Sequence, residues 1–308
     1  MSGTDFSCLP VDDAKNWLAS FDTILVDCDG VLWLHDKVIP GAPETLNRFL
    51  ELGKKIFYVT NNSTKTRDEF VAKCTRLGFK ATKENILSTA YLTAGYLEDL
   101  GFKKKAYIVG SEGIAKELDL VGIKSLGVGP DTIATGDLGT VIYKQLAMDP
   151  EVGAVVIGFD VHFNFMKMLK AASYANNPDC IFVATNTDER FPMDAENVVV
   201  PGTGSIVAAV ETCAGRQAFK IGKPSAYICE ALMKRHCVDP EKTLMIGDRC
   251  NTDILFGKRC GFATMLVLTG VTRLHEVEAW RRSSLPEERE LVPDHHVCQL
   301  GDLLQYLA

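Results

Sequence analysis

The run Phe21-Asp-Thr-Ile-Leu-Val-Asp-Cys-Asp-Gly-Val-Leu32 joins a β-branched apolar strand to a pair of carboxylates at its end. A buried strand gains nothing by finishing that way. Thr23–Val26 read as a short core strand, and Gly30 marks a sharp turn directly after it. Asp27 and Asp29 therefore fall where the carboxyl end of a strand opens into a loop, the ligand-facing edge of an open α/β sheet. Two carboxylates this close repel, so both stay ionised in a partly buried place only with a cation between them; otherwise one is protonated. A hard divalent ion such as Mg2+, which takes oxygen ligands, meets that need. An isolated Asp-x-Asp is more often an acidic turn, and the partners further along the chain decide the matter.

With 308 residues the chain can bury a full core and reads as two domains. Hydrophobic residues make up 46% and charged ones 24%, the balance of a water-exposed globular protein. The net charge of -7 argues against a nucleic-acid surface and shows no polybasic membrane patch, so an anionic substrate needs local positive charge or a metal. The ten cysteines are scattered without a Cys-x-x-Cys pair, which points to reduced thiols in a cytoplasmic protein and away from zinc or a disulfide scaffold. Residues 1–20 lack a signal-peptide core, and no apolar run approaches membrane-spanning length.

After the acidic turn, Leu46, Phe49 and Leu50 recur at helical spacing over residues 43–52, closed by Gly53. A strand over residues 56–59 then ends in Thr60-Asn-Asn-Ser63 and leads into a helix over 66–77. Such a cluster can be a plain N-cap, and it can also cradle a phosphate at a helix start. Ile86–Ser88 and an amphipathic helix follow, and Lys103 to Lys105 read as a solvated linker. Strand and helix alternation restarts from residue 106 to about 217, with strands at 106–109, 154–159 and Ile181–Ala184 and helices at 114–120 and Phe165–Ala175. This second α/β unit lies between the polar clusters of the first, so it reads as an insert: 1–104 core, 105–217 insert, 218–308 core.

Within the insert, Thr185-Asn-Thr-Asp-Glu-Arg-Phe-Pro192 is a dense polar loop after a strand end. Pro201-Gly-Thr-Gly204 reads as a helix-start turn, because Val207 stands where a dinucleotide fingerprint needs glycine. His162, at another polar strand end, reads as structural. The first unit resumes with Ile221-Gly-Lys-Pro-Ser225, where Pro224 suits the first turn of a helix reaching His236. The strand over residues 243–246 ends in Gly247-Asp-Arg-Cys-Asn-Thr-Asp253, which puts Asp248 and Asp253 at the same sheet edge as Asp27 and Asp29. Residues 264–268 form the last clear core strand, followed by a charged surface helix and a helical close at 300–307. Four strand ends thus deliver Asp27 and Asp29, Thr60 and Asn61, Lys223, and Asp248 and Asp253. Carboxylates, one ammonium and a hydroxyl and amide cradle are what phosphoryl transfer needs: a nucleophile, an acid, a metal and charge neutralisation.

In these four motifs the chain resembles phosphatases of the haloacid dehalogenase superfamily: Asp27-x-Asp-Gly-Val31, Thr60-Asn-Asn62, Gly222-Lys-Pro224 and Gly247-Asp-Arg-x-x-Thr-Asp253, in the family's order. Asp27-Cys-Asp-Gly-Val-Leu-Trp33, Pro40-Gly-Ala-Pro43 and Pro201-Gly-Thr-Gly204 resemble the branch of phosphoglycolate (glycerol-3-phosphate), pyridoxal phosphate and para-nitrophenyl phosphatases, over nearly the whole chain. The resemblance implies a Rossmann-like α/β core with a parallel sheet and a large inserted α/β cap. It also implies Asp27 as nucleophile, Asp29 as acid and base, and Lys223 as charge partner. Thr60, Asn61 and Asn62 would hold phosphate. Mg2+ would sit on the Asp27 and Asp248 carboxylates and the Asp29 carbonyl, with Asp253 behind, and the branch suggests a homodimer through the cap.

For the substrate, Phe191 stands where the pyridoxal type carries a histidine, and the cap-loop wording is closer to the phosphoglycolate type, with Arg190 placed to pair a substrate carboxylate or hydroxyl. Gln217 and the segment 203–216 lean toward the pyridoxal type. Cys28, between the key carboxylates, reads as a buried inert thiol. Competing readings are a pyridoxal phosphate phosphatase, a phosphoserine protein phosphatase and a silent metabolite-binding module. A cap over the metal site favours small phosphate monoesters.

Overall fold

Ile24, Leu25 and Val26 are fully buried, as befits a strand covered on both faces. In the computed structural model, which describes residues 3–132, 137–191 and 197–307, Thr23–Val26 lies inside a seven-stranded sheet. The strand order is Thr4–Asp5, His295–Val297, Ala263–Val267, Thr243–Gly247, Thr23–Val26, Lys55–Thr60 and Ile86–Ser88. Pairings from Thr4–Asp5 through Lys55–Thr60 are parallel. The chain runs from Thr23–Val26 outward through Lys55–Thr60, and later returns to Thr243–Gly247 on the other side. That reversal is a topological switch point, where open α/β sheets bind ligands at the carboxyl ends of their strands. Register sets the level: Val26 faces Tyr58 on one side and Ile246 on the other, so Asp27, Thr60 and Asp248 emerge together at that edge.

Residues Met1–Thr60, Arg67–Leu87 and Lys223–Ala308 make one unit, and Asn61–Thr66 with Ser88–Gly222 make a second. The second holds a five-stranded parallel sheet in the order Phe219–Lys220, Ile181–Ala184, Val152–Ile157, Lys105–Val109, Ser125–Leu126. The expected boundaries, 105 and 217, lie inside this unit. Helix Thr89–Asp99 belongs to it because Ala90, Ala94 and Leu97 bury against Ala106, Ile108, Ile114, Leu118 and Ala154. Phe219–Lys220 belongs to it as the edge strand beside Ile181–Ala184. Lys105, taken as linker, opens a strand and pairs with Asp149 at 2.9 Å and Glu151 at 2.5 Å.

Elements expected from periodicity form within a few residues of their places, including Ala42–Glu51, Arg67–Arg76, Phe165–Ala175 and Thr203–Ala214, the last starting in Pro201-Gly-Thr-Gly204 as read. Two expectations fail locally. The helix after Lys223 starts at Tyr227, so Pro224 lies in the preceding turn and not in the first helical turn. Residues 264–268 are not the last core strand: His295–Val297 pairs alongside Ala263–Val267 and is itself joined by Thr4–Asp5. His295–Val297 escaped notice because two histidines interrupt its apolar pattern.

Candidate active site

The first unit gathers its carboxylates around one lysine. Lys223 is 2% exposed and its Nζ lies 2.5 Å from Asp27 Oδ1 and 2.7 Å from Asp253 Oδ1, while donating to the Val59 carbonyl at 2.9 Å. A lysine at a helix approach is ordinarily solvated; here three oxygens replace its water. The contact with Asp253 is an ion pair outside hydrogen-bond geometry. Asp253 also accepts the Arg249 N–H through Oδ2 at 3.1 Å, so both of its oxygens are engaged. Asp248 joins the group: the carboxylates of Asp27, Asp248 and Asp253 each offer an oxygen within 4.8 Å of the others, all buried.

Turn chemistry makes this crowding possible. Gly30 adopts φ +89°, and a Cβ there would come 2.5 Å from Asp248 Oδ2; at Gly270 it would come 1.8 Å from the same oxygen. The loop after strand Ala263–Val267 thus wraps Asp248, whose Oδ2 accepts the Val271 N–H at 2.8 Å while its carbonyl accepts the Thr272 N–H at 3.0 Å. Sequence reading missed this support. Its signal was Thr269-Gly-Val-Thr272, a polar turn at the end of a core strand.

Electrostatics follow from burial. Desolvation raises the Asp27 carboxyl well above the usual range, opposed first by the Lys223 charge and reinforced by Asp253 and Asp248. Asp248 is pushed up to about 7, by burial and then by the charge of Asp253. Burial works to lower the Lys223 pKa, but the charges of Asp253 and Asp27 outweigh it and hold the ammonium above lysine's ordinary range. With all three carboxylates ionised against one ammonium, two negative charges would be left over; burial pushes Asp27 and Asp248 toward keeping protons, and a divalent cation would let them ionise together. An all-oxygen donor set suits a hard cation. Cys28 is buried, and desolvation and then the Asp27 charge push its thiol well up, consistent with an inert group.

Asp29, half-buried, stands on the turn after Asp27 and accepts the Trp33 indole N–H at 2.9 Å. Thr60 is buried at the end of the adjoining strand. The remaining predicted residues lie in the second unit. Asn61 donates to both oxygens of Asp188 at 3.4 Å, and Asp188 also accepts from Asn186 at 2.8 Å; Asp188 was not singled out from sequence. Asn62 Oδ1 accepts the Thr64 N–H at 2.8 Å and hydroxyl at 2.7 Å, closing its own turn. Arg190 is exposed and its backbone bridges to Pro201, while the Phe191 ring packs 4.9 Å from Phe159. Pro192 lies outside the described residues. His162 is exposed and contributes only its backbone N–H, to Asp160 at 2.8 Å.

Comparison with known proteins agrees with this geometry. The profile of the haloacid dehalogenase-like hydrolases matches residues 24–124, and that described as HAD-hydrolase-like matches residues 220–298. Glycerol-3-phosphate phosphatase of Rattus norvegicus is 43% identical over 99% of this chain and 97% of its own. The chain belongs to the haloacid dehalogenase-like hydrolase family. Within it, chronophin of Mus musculus is 39% identical over 95% of both chains. The solved glycerol phosphate phosphatase of Mycobacterium tuberculosis in complex with magnesium superposes with a TM-score of 0.73 at 26% identity, covering 94% of this chain and 78% of that one. Among the described residues no helix is long and apolar enough to cross a membrane.

Proposed function

We propose that this family member is a Mg2+-dependent phosphatase of small phosphate monoesters, acting through an aspartyl phosphate. The observation that carries the reading is Lys223, buried between Asp27 and Asp253 with Asp248 in the same group. A buried cluster of three carboxylates around one ammonium, which can all ionise only against added positive charge, is a poor structural device and a good seat for a divalent cation. Asp27, Asp248 and the Asp29 carbonyl would hold Mg2+, which supplies charge neutralisation to the phosphoryl group, and Asp253 supports from behind through Lys223 and the Arg249 N–H.

The chain's own groups do the rest. A carboxylate oxygen of Asp27 forms a bond to phosphorus as the ester P–O bond breaks; the electron pair passes to the alcohol oxygen, which takes a proton from Asp29. Water then attacks the same phosphorus, giving its proton to Asp29, and the bond to Asp27 breaks to release inorganic phosphate with both carboxyls restored. Lys223 steadies Asp27 in both steps, and the Thr60 hydroxyl donates to phosphate oxygens. Asn61 joins Thr60 in this role; Asn62, whose Oδ1 closes its own turn, serves by holding that loop.

Glycerol-3-phosphate and phosphoglycolate are the substrates we favour. Phe191 in place of the pyridoxal type's histidine supports this, as do the relatives named glycerol-3-phosphate phosphatase at 43% identity, against 39% for chronophin, the pyridoxal phosphate phosphatase. We place the protein in the cytoplasm, on ten free cysteines, and as a homodimer through the inserted unit, on the family's precedent. The test is phosphate release from glycerol-3-phosphate, phosphoglycolate and pyridoxal phosphate side by side, with and without Mg2+. Faster turnover of the first two supports the reading; preference for pyridoxal phosphate overturns the cap-loop inference, and no turnover at all favours a silent binding module.

A further inference from the structure

Trp33 is the largest fully buried side chain, yet it stands in the turn of the catalytic motif. The Gly30 N–H donates to the Trp33 carbonyl at 2.8 Å and the Leu32 N–H to the Cys28 carbonyl at 2.9 Å, so the turn folds back on itself. This brings the indole beside Asp29, and Nε1–H donates to Asp29 Oδ1 at 2.9 Å. The ring is held from two other directions: Phe79 packs edge-on at 5.8 Å, and the Lys73 ammonium lies 4.3 Å from the ring centroid. Filling that volume needs only an apolar ring. A buried indole N–H, by contrast, needs an acceptor, and the acceptor supplied is the carboxyl assigned to proton transfer.

We propose that Trp33 is the positioning residue for Asp29, fixing which carboxyl oxygen handles the proton. The inference rests on the reading that Asp29 protonates the leaving alcohol. Indole nitrogen donates and cannot accept, so Oδ1 is engaged as acceptor and Oδ2 is the oxygen left free to carry the transferred proton. When the P–O bond breaks, that proton passes from Oδ2 to the alcohol oxygen that has taken the electron pair. Lys73 over the ring face and Phe79 at its edge set the plane of the indole, and through it the direction of the N–H.

Trp33→Phe tests this, because it keeps an aromatic ring under Lys73 and removes the donor; the part of the indole volume lost with it is a packing change that falls equally on both substrates. The readout is kcat/KM for glycerol-3-phosphate and for p-nitrophenyl phosphate on one preparation. An alkyl alcohol leaves poorly without a proton, whereas nitrophenolate leaves without one. We expect a loss of about tenfold with glycerol-3-phosphate and less than about twofold with p-nitrophenyl phosphate, KM changing by less than about twofold. Equal losses on both substrates, or no loss on either, overturn the proposal, since a packing role cannot tell leaving groups apart. Asp29→Asn runs in parallel: full glycerol-3-phosphate turnover there sinks the acid assignment itself, whereas its loss beside an unaffected Trp33→Phe sinks only the role of Trp33. Should Trp33→Phe not fold, Lys73→Met, which loosens the ring without emptying the core, is read by the same substrate contrast.

Discussion

Each unit buries a lysine completely, and the two lysines are partnered in opposite ways. In the second unit Lys167 Nζ lies 2.5 Å from Asp160 Oδ2, with side chains 0% and 2% exposed. The other Asp160 oxygen accepts the His162 N–H, so one positive charge meets one negative charge and both carboxylate oxygens have a partner. In the first unit Lys223 meets two carboxylates and a third belongs to the same group. The balanced pair pins a loop start to a helix. The unbalanced cluster is closely wrapped at Asp248 by turns with no room for a Cβ, at Gly30 and Gly270. Burial and ion pairing are common to both; what separates a structural site from a chemical one is the charge left over.

The largest expected effect breaks the unbalanced side. Asp27→Asn removes the attacking oxygen, and phosphate release from glycerol-3-phosphate should fall on the order of a thousandfold or more while the melting temperature survives. Retained turnover would remove the aspartyl-phosphate reading altogether. On the balanced side, Lys167→Met leaves Asp160 buried without its cation, so urea unfolding should show a loss of about 3–5 kcal/mol with turnover per folded molecule unchanged. Lys167→Met with Asp160→Leu should recover much of that loss. If the double variant lost activity instead, the second unit's pair would be doing more than holding a loop.

Removing divalent ions with a chelator should abolish turnover, and restoring Mg2+ to a hundred times its dissociation constant should add about 2.7 kcal/mol to stability. The Lys167→Met protein should show the same increment, because its defect lies outside the cation seat. The smallest effect is one of pH. His236, His295 and His296 all have pKa values lowered from 6.5, in each case first by burial. Folding favours their neutral forms, so this stability is present above about 6.5 and is lost as pH falls below it through the folded values. All three lie in the first unit, as do Trp17, Trp33 and Trp280. Asp27 and Asp248 in the same unit, raised by burial, act in the opposite sense when no cation is bound, so the check is made with Mg2+ present. Tryptophan fluorescence during acidification should then report early loosening of that unit, and a transition independent of pH between 7 and 5 would contradict the assignment.

How much of this was legible beforehand depends on the range of the interaction. Asp27, Asp29, Asp248 and Asp253 announce themselves because carboxylates after apolar strands violate the local pattern, and Ile24 to Val26 or residues 243–246 are short runs with little ambiguity. Lys223 could be placed at a strand end but not between two named carboxylates, since nothing local distinguishes a buried lysine from a solvated one. Asn61 and Asn62, read as a single cradle, have different partners, one facing Asp188 and the other closing a turn, which sequence spacing does not distinguish. The unit boundary at Ser88, not 105, was invisible because helix Thr89–Asp99 is buried along most of its length, and an apolar helix does not say in its sequence which core it joins.

The sequence by itself determined the alternation of strands and helices, the insert, and the carboxylates at strand ends, because these follow from periodicity and from residue types out of place. Only the tertiary structure decided which oxygen meets which proton: Lys223 against Asp27 and Asp253, the loop of Gly270 around Asp248, Trp33 against Asp29. Those contacts join residues up to 196 positions apart, as Lys223 to Asp27 does. Parallel register brings such groups to one edge, and no local pattern encodes a register set by strands that meet only on folding.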